Sequence, residues 1–279
     1  MKRVIPFILF AISWAASPTA MAEGDRTLTL NGNFIQGGLV IGQVDPKATV
    51  DFDGLKLRIS PDGHFLFGFG RDAPPSAKLT VRMPDGYVHE QEIAVEQRQY
   101  NEQKIDGLPP KKVTPPAEAL EQIARERTAK DAAFKGDLPE AGFLSEWIWP
   151  ADGPISGVYG SRRILNGEPK RPHFGVDVAS PTGTPVLAPA DGKVVLALPE
   201  MYFEGNAIFL DHGHGLKSVY MHLSKLGVKE GQTVKRGDLI GEIGGTGRVT
   251  GPHLHWALYW FRTPLDPALL VPERPGSRG

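Results

Sequence analysis

Apolar and polar residues alternate in short runs from Thr27 to Val95, with turn residues between the runs. Thr27-Leu-Thr-Leu30, Thr49-Val-Asp-Phe52, Leu55-Lys-Leu-Arg-Ile59, His64-Phe-Leu-Phe-Gly-Phe69 and Lys78-Leu-Thr-Val-Arg82 read as strands. A period of two sends alternate side chains to opposite faces of a sheet. Asp53-Gly54, Asp62-Gly63 and Asp85-Gly86 supply hairpin turns. This spacing predicts a small β-sandwich-like module over residues 23–97. His64 and His89 are lone strand histidines and read as structural. The module is expected to bind, position or inhibit rather than to catalyse.

The pattern then changes. Pro109-Pro110 and Pro115-Pro116 interrupt the chain, and Ala117 to Lys135 is rich in Ala, Glu, Arg and Lys. Residues 98–140 are therefore expected to form a Pro-bounded helical linker. Thr114 is the expected cap, Pro115 the first helical position and Gly136 the stop. Leu120, Ile123 and Phe134 are its expected apolar anchors, and its alternating charges form a solvated face. From Phe143 onward short β runs return: Val186-Leu187, Lys193 to Ala197, Ala207 to Leu210, Lys217 to Met221, Leu239-Ile240 and His253 to Tyr259. The whole chain reads as mostly β, with a second domain over residues 141–279. Its Pro-rich tail from Pro264 is expected to pack loosely.

The ends and the composition narrow the setting. Lys2-Arg3, the apolar stretch Val4 to Ala16 and Ala20-Met-Ala22 have the form of a signal peptide over residues 1–22, cleaved after Ala22. That stretch is too short to span a bilayer comfortably, so stable membrane insertion is not expected after cleavage. The expected location is periplasmic or secreted. The chain has no cysteine, which excludes disulfides, a catalytic thiol and a Cys-rich zinc finger. A formal net charge of −1 offers no electrostatic basis for nucleic-acid binding.

Candidate chemistry is concentrated in two motifs, His173-Phe-Gly-Val-Asp177 and His253-Leu-His255. Imidazoles and a carboxylate suit a borderline divalent metal such as zinc. In a strand, His253 and His255 share one face while Leu254 enters the core. Two histidines and an aspartate make an open zinc site, and either histidine of the H-x-H pair satisfies that count. His222, in Tyr220-Met-His-Leu-Ser224, is a further histidine beyond what the metal requires. Asp211-His-Gly-His-Gly215 is a competing cluster, but its glycines mark a hairpin turn. Gly241 to Gly247 lacks the Gly-Lys-Ser/Thr of a phosphate loop and reads as a flexible rim. No G-x-S-x-G nucleophile elbow is present.

Together with Gly205-Asn206, Asp211-His-Gly-His-Gly-Leu216 and Gly251-Pro-His-Leu-His255, these segments resemble the lysostaphin/LytM-type zinc metalloendopeptidases. The resemblance covers about Trp149 to Leu265. It implies an antiparallel β peptidase domain, one zinc ion on His173, Asp177 and His255, and peptidoglycan as substrate. It also implies catalytic roles for His253 and His222, and for Tyr202 by its place four residues before Asn206. In that scheme His253 moves the proton, and His222, helped by Tyr202, donates to the developing oxyanion. The expected function is hydrolysis of amide bonds in stem-peptide cross-links during cell-wall remodelling. The alternative is a non-enzymatic LytM-like protein that binds cell wall or activates an amidase. The N-terminal module is expected to restrain the site intramolecularly.

Overall fold

The computed structural model describes residues 26–277; the leader expected at residues 1–22 lies outside them. The first region contains β1 (Thr29–Gly32), β2 (Leu39–Gln43), β3 (Thr49–Phe52), β4 (Leu55–Leu57), β5 (His64–Gly68), β6 (Ser76–Arg82) and β7 (Val88–Ala94). One sheet runs β1-β2-β5 and a second runs β4-β3-β6-β7. Phe52 of β3 stacks on Phe67 of β5, with ring centroids 4.4 Å apart, which joins the sheets through their inner faces. Asp53 and Gly54 both take positive φ, as a tight two-residue hairpin turn requires.

The middle of the chain is less simply helical than its composition predicts. β8 (Glu102–Ile105) and the short α1 (Pro110–Val113) precede α2 (Leu120–Lys135). Thr114 does not cap a helix starting at Pro115: its hydroxyl hydrogen-bonds Glu168, and the helical path begins as a 3-10 turn at Ala117–Ala119. Gly136 does end α2. Leu120 is 56% exposed and anchors nothing, whereas Phe134 packs its ring edge-on against Phe209 and Tyr259.

The remaining strands are β9 (Ile155–Gly157), β10 (Arg162–Leu165), β11 (Glu168–Lys170), β12 (Val176–Ala179), β13 (Pro185–Leu187), β14 (Gly192–Met201), β15 (Gly205–Gly213), β16 (Leu216–Leu226), β17 (Thr233–Val234), β18 (Leu239–Ile243), β19 (His253–Trp260) and β20 (Thr263–Leu265). The main sheet runs β17-β14-β15-β16-β19-β12-β9, with every described pair antiparallel. β8 lies parallel to β10, so the connecting segment joins the β10–β11 hairpin as a further strand. No helix among the described residues is long and apolar enough to cross a membrane.

The tail does not pack loosely. Leu265, Asp266, Ala268 and Val271 are buried, and Asp266 accepts from the Ala268 backbone N–H to cap a 3-10 turn. Asp266 also receives a hydrogen bond at 2.7 Å from Arg98, a residue that follows the first region. Side chains of both regions form one continuous hydrophobic core.

Candidate metal centre

Strand register brings the two sequence motifs together. β12 and β19 pair antiparallel with Asp177 opposite His255 and Ala179 opposite His253. The period of two aims His253 and His255 to one face, while Leu254 is fully buried on the other. His173 arrives from the loop before β12, fixed by its backbone N–H to the Ser161 carbonyl at 2.9 Å. Glycine is required beside these residues. A Cβ on Gly157 would lie 2.4 Å from Asp177 Oδ2, and one on Gly175 would lie 2.7 Å from His255 Cε1.

His173 Nε2, Asp177 Oδ1 and His255 Nδ1 form a triangle with edges of 3.0, 3.0 and 2.8 Å. The other nitrogen of His173, Nδ1, lies 3.0 Å from the Val158 carbonyl, which can only accept. Neutral His173 therefore carries its proton on Nδ1 and turns the lone pair of Nε2 into the triangle. Lone pairs of three groups converge where a single shared proton cannot satisfy them all. A tetrahedral zinc ion with ligand bonds of about 2.0–2.2 Å needs ligand separations of about 3.3 Å, only slightly wider than these. The donor set thus fits zinc in both chemistry and size. Burial would raise the Asp177 pKa, but His173 and His255 overcome it and hold the group well below 3.8. Burial lowers His255 to about 4 against the pull of Asp177. Both groups are thus in the deprotonated forms that bind metal.

His253 and His222 stand beside the triangle. His253 Nε2 lies 3.9 Å from Asp177 Oδ1, and its Nδ1 donates to the Gly251 carbonyl at 2.9 Å. That bond leaves Nε2 free to accept a proton. His222 sits on β16 with φ of 67°, a left-handed conformation where the pairing with β15 and β18 is irregular. The bulge turns its ring to 4.9 Å from that of His253. His222 Nδ1 donates to the Thr246 carbonyl at 2.9 Å, so its neutral form also presents a bare Nε2. Burial, then the neighbouring His253 and His255, keep its pKa well below 6.5. Neutral His222 is consequently an acceptor, and it donates to an oxyanion only as imidazolium.

Tyr202 is not gathered into this cluster. Its hydroxyl donates to the Lys111 carbonyl at 2.5 Å, and the Lys112 ammonium lies 4.0 Å from its ring centroid. Its ring is engaged by α1. Conversely, Arg163, which no sequence motif marks, donates to Asp177 Oδ2 at 2.8 Å and so orients the carboxylate. No spacing rule marks it, because β10 reaches Asp177 only through the tertiary fold. The Asp211-His-Gly-His-Gly215 segment forms the expected turn between β15 and β16. Its groups are used in packing: Lys217 pairs with Asp211 at 2.9 Å, and His212 bridges the Asp191 carbonyl and Ser218.

Residues 171–267 match the family described as Peptidase family M23. Over 123 residues the chain is 42% identical to peptidoglycan DD-endopeptidase ShyB of Vibrio cholerae, covering 40% of this chain and 28% of that relative. It is 47% identical to peptidoglycan DD-endopeptidase ShyA of the same organism, over 40% of this chain and 26% of the relative. The aligned part thus spans under a third of the length of these curated relatives. A crystal structure from Pseudomonas aeruginosa, described as a peptidase M23, superposes with a TM-score of 0.64 at 32% identity, covering 85% of this chain and 94% of that one. With its His-Asp-His triangle on β12, β19 and the loop before them, the chain belongs to peptidase family M23.

Proposed function

We propose that this protein is an exported, zinc-dependent endopeptidase that hydrolyses amide bonds in peptidoglycan stem-peptide cross-links. The observation that carries the reading is the triangle of His173, Asp177 and His255 with two further imidazoles against its side. A metal needs only the triangle, so the extra pair is there for chemistry. Zinc in this site supplies Lewis acidity that makes water nucleophilic near neutral pH and polarises the scissile carbonyl. His253 takes the proton from the attacking water on its free Nε2 and returns it to the leaving amine. His222, 4.9 Å away ring to ring, shares that proton and donates to the oxyanion once it is charged. The names of the Vibrio cholerae relatives support peptidoglycan as the substrate class, and a peptidoglycan substrate supports an extracytoplasmic location. The complete ligand set weighs against a purely non-enzymatic regulator. Restraint by the N-terminal half is also proposed, acting through α1, which engages Tyr202.

Mass analysis of muropeptides released from purified cell walls tests this reading. Wild-type protein should convert cross-linked dimers to monomers, and a chelator should stop it. His253→Ala should keep about one zinc per chain and lose 10²–10⁴-fold in rate. His255→Ala should lose both zinc and rate. Zinc-loaded wild type that leaves cross-links intact would remove the endopeptidase reading.

A further inference from the structure

The cleft beside the triangle has a volume of about 340 Å³ and an unusual charge balance. Arg163, Lys170, Arg171 and Arg248 line it, with Glu204 as the acid among the lining residues. Three of these charges are already engaged. Arg163 is on Asp177, Lys170 is on Glu168, and Glu204 receives a hydrogen bond from Lys130 of α2. Arg171 and Arg248 have neither an ion pair nor a side-chain hydrogen bond among the described residues. Each lies over an aromatic face instead, Arg248 at 4.8 Å from the Phe203 centroid and Arg171 at 5.6 Å from that of Phe174.

Cations that repel one another are costly to hold together without an anion. Burial and then Arg163 lower the pKa of Arg248 against the pull of Glu204, while burial and Lys111, with a smaller share from Arg248, lower that of Lys112. Arg248 is half-buried and Arg171 exposed, and stacking on a ring keeps the planar fork of each guanidinium pre-organised for a carboxylate. The position matters too, because His173, His222 and His255 line the same cleft. An anion held by the two arginines would belong to the molecule whose amide is being cut.

We infer that Arg248 and Arg171 form a carboxylate-binding subsite that selects peptides bearing a free carboxylate next to the scissile amide. This rests on the endopeptidase reading above and adds to it a rule of selection. Glu204, held by Lys130, sets the acidic limit of the subsite, so an ammonium group is not the favoured occupant.

The test compares cross-linked muropeptide dimers with their carboxyl groups free or converted to amides, using the full mature chain loaded with zinc. Wild type should cleave the carboxylate form with a kcat/KM about 10- to 100-fold higher, as expected for loss of charge-assisted hydrogen bonds. The double variant Arg171→Gln, Arg248→Gln should bring that ratio near one by slowing the carboxylate form alone. Equal wild-type rates on both forms overturn the subsite while leaving the peptidase intact. So does a variant that slows both forms equally. Binding is read separately from hydrolysis by titrating glutarate and glutaramide and following the arginine Nε–Hε resonances. Glutarate should shift those of Arg171 and Arg248, and glutaramide should not. Absence of a glutarate shift overturns the subsite whether or not the dimers are cleaved.

Discussion

Asp177 is held from two sides, and the balance between them sets the metal affinity. Its Oδ1 faces His173 and His255, and its Oδ2 accepts from Arg163. Removing Arg163 relieves repulsion toward a dication but frees the carboxylate to rotate. Partners that orient a ligand in this way are typically worth about 10–100-fold in metal affinity, more than a screened repulsion across the carboxylate, so orientation should win. Arg163→Ala is therefore expected to weaken zinc binding by about 10–100-fold in competition with a chromophoric chelator, with Arg163→Lys recovering part of it. Unchanged affinity would show that β9 and β19 alone position Asp177. His212 is a second residue with a measurable signature. Burial lowers its pKa to about 4 from an ordinary 6.5, and both ring nitrogens are used, on the Asp191 carbonyl and Ser218. The folded protein then binds this proton less readily than the unfolded chain. Its contribution to stability is complete above pH 6.5 and is lost as pH falls from 6.5 toward 4, by about 3 kcal/mol in all. His212→Gln should flatten that part of the stability–pH curve relative to wild type. Parallel curves would mean that His212 does not stay neutral.

At the scale of elements, the proposed restraint of the site rests on the connecting segment. α1 holds Tyr202 through the Lys111 carbonyl, and the Lys112 ammonium donates to the Tyr202 carbonyl at 2.5 Å. Lys112→Ala removes that bond and the cation–π contact without touching the triangle. If α1 restrains the site, turnover on cell walls should rise several-fold, in line with about 1–2 kcal/mol for one partly buried ammonium. A rate equal to wild type would make α1 a scaffold only. This device was invisible along the chain. Strands whose apolar pattern is self-contained, such as Thr49–Phe52 or His253–Trp260, declare themselves because the period of two and the core agree. β2 and β7 do not declare themselves in the same way, since Gly42 and a run of polar residues from His89 to Glu92 blur their alternation. β8 has only Ile105 as an apolar residue and exists because β10 offers it an edge. The candidate ligands were legible for a related reason: H-x-H on a strand converges by geometry, and His173 and Asp177 lie four residues apart. Arg163, Arg248 and the turn of Tyr202 toward α1 depend on segments meeting from far along the chain.

Taken whole, the molecule is predicted to unfold as one unit, and Arg98 is the place to test it. The β10–β11 hairpin and the tail join the halves polar group to polar group, and Phe52 meets Trp260 with centroids 5.9 Å apart. Gly37 accepts from the Asp266 backbone N–H at 2.8 Å, and Asn33 donates to the Leu269 carbonyl at 3.0 Å. Within this seam the Arg98 and Asp266 side chains are only 8% and 1% exposed. A pair so deep is weak evidence for net stabilisation, because desolvating both charges offsets much of their attraction. Removing one partner is a different matter, since it strands the other in low dielectric, at a cost of about 3–5 kcal/mol. Arg98→Ala should therefore lower the stability of the whole chain by that amount in denaturant, followed together by tryptophan fluorescence and far-UV circular dichroism. Four of the five tryptophans lie C-terminal to Arg98 and the fifth, Trp14, falls in the leader expected at residues 1–22, so fluorescence of the mature chain reports the peptidase half while the mutated residue sits at the end of the first. One transition, displaced equally in both signals, is the outcome expected of a shared core. A circular-dichroism loss that precedes an unmoved fluorescence transition would show that the halves unfold separately, and restraint of the site by the N-terminal half would then have to survive without a rigid seam.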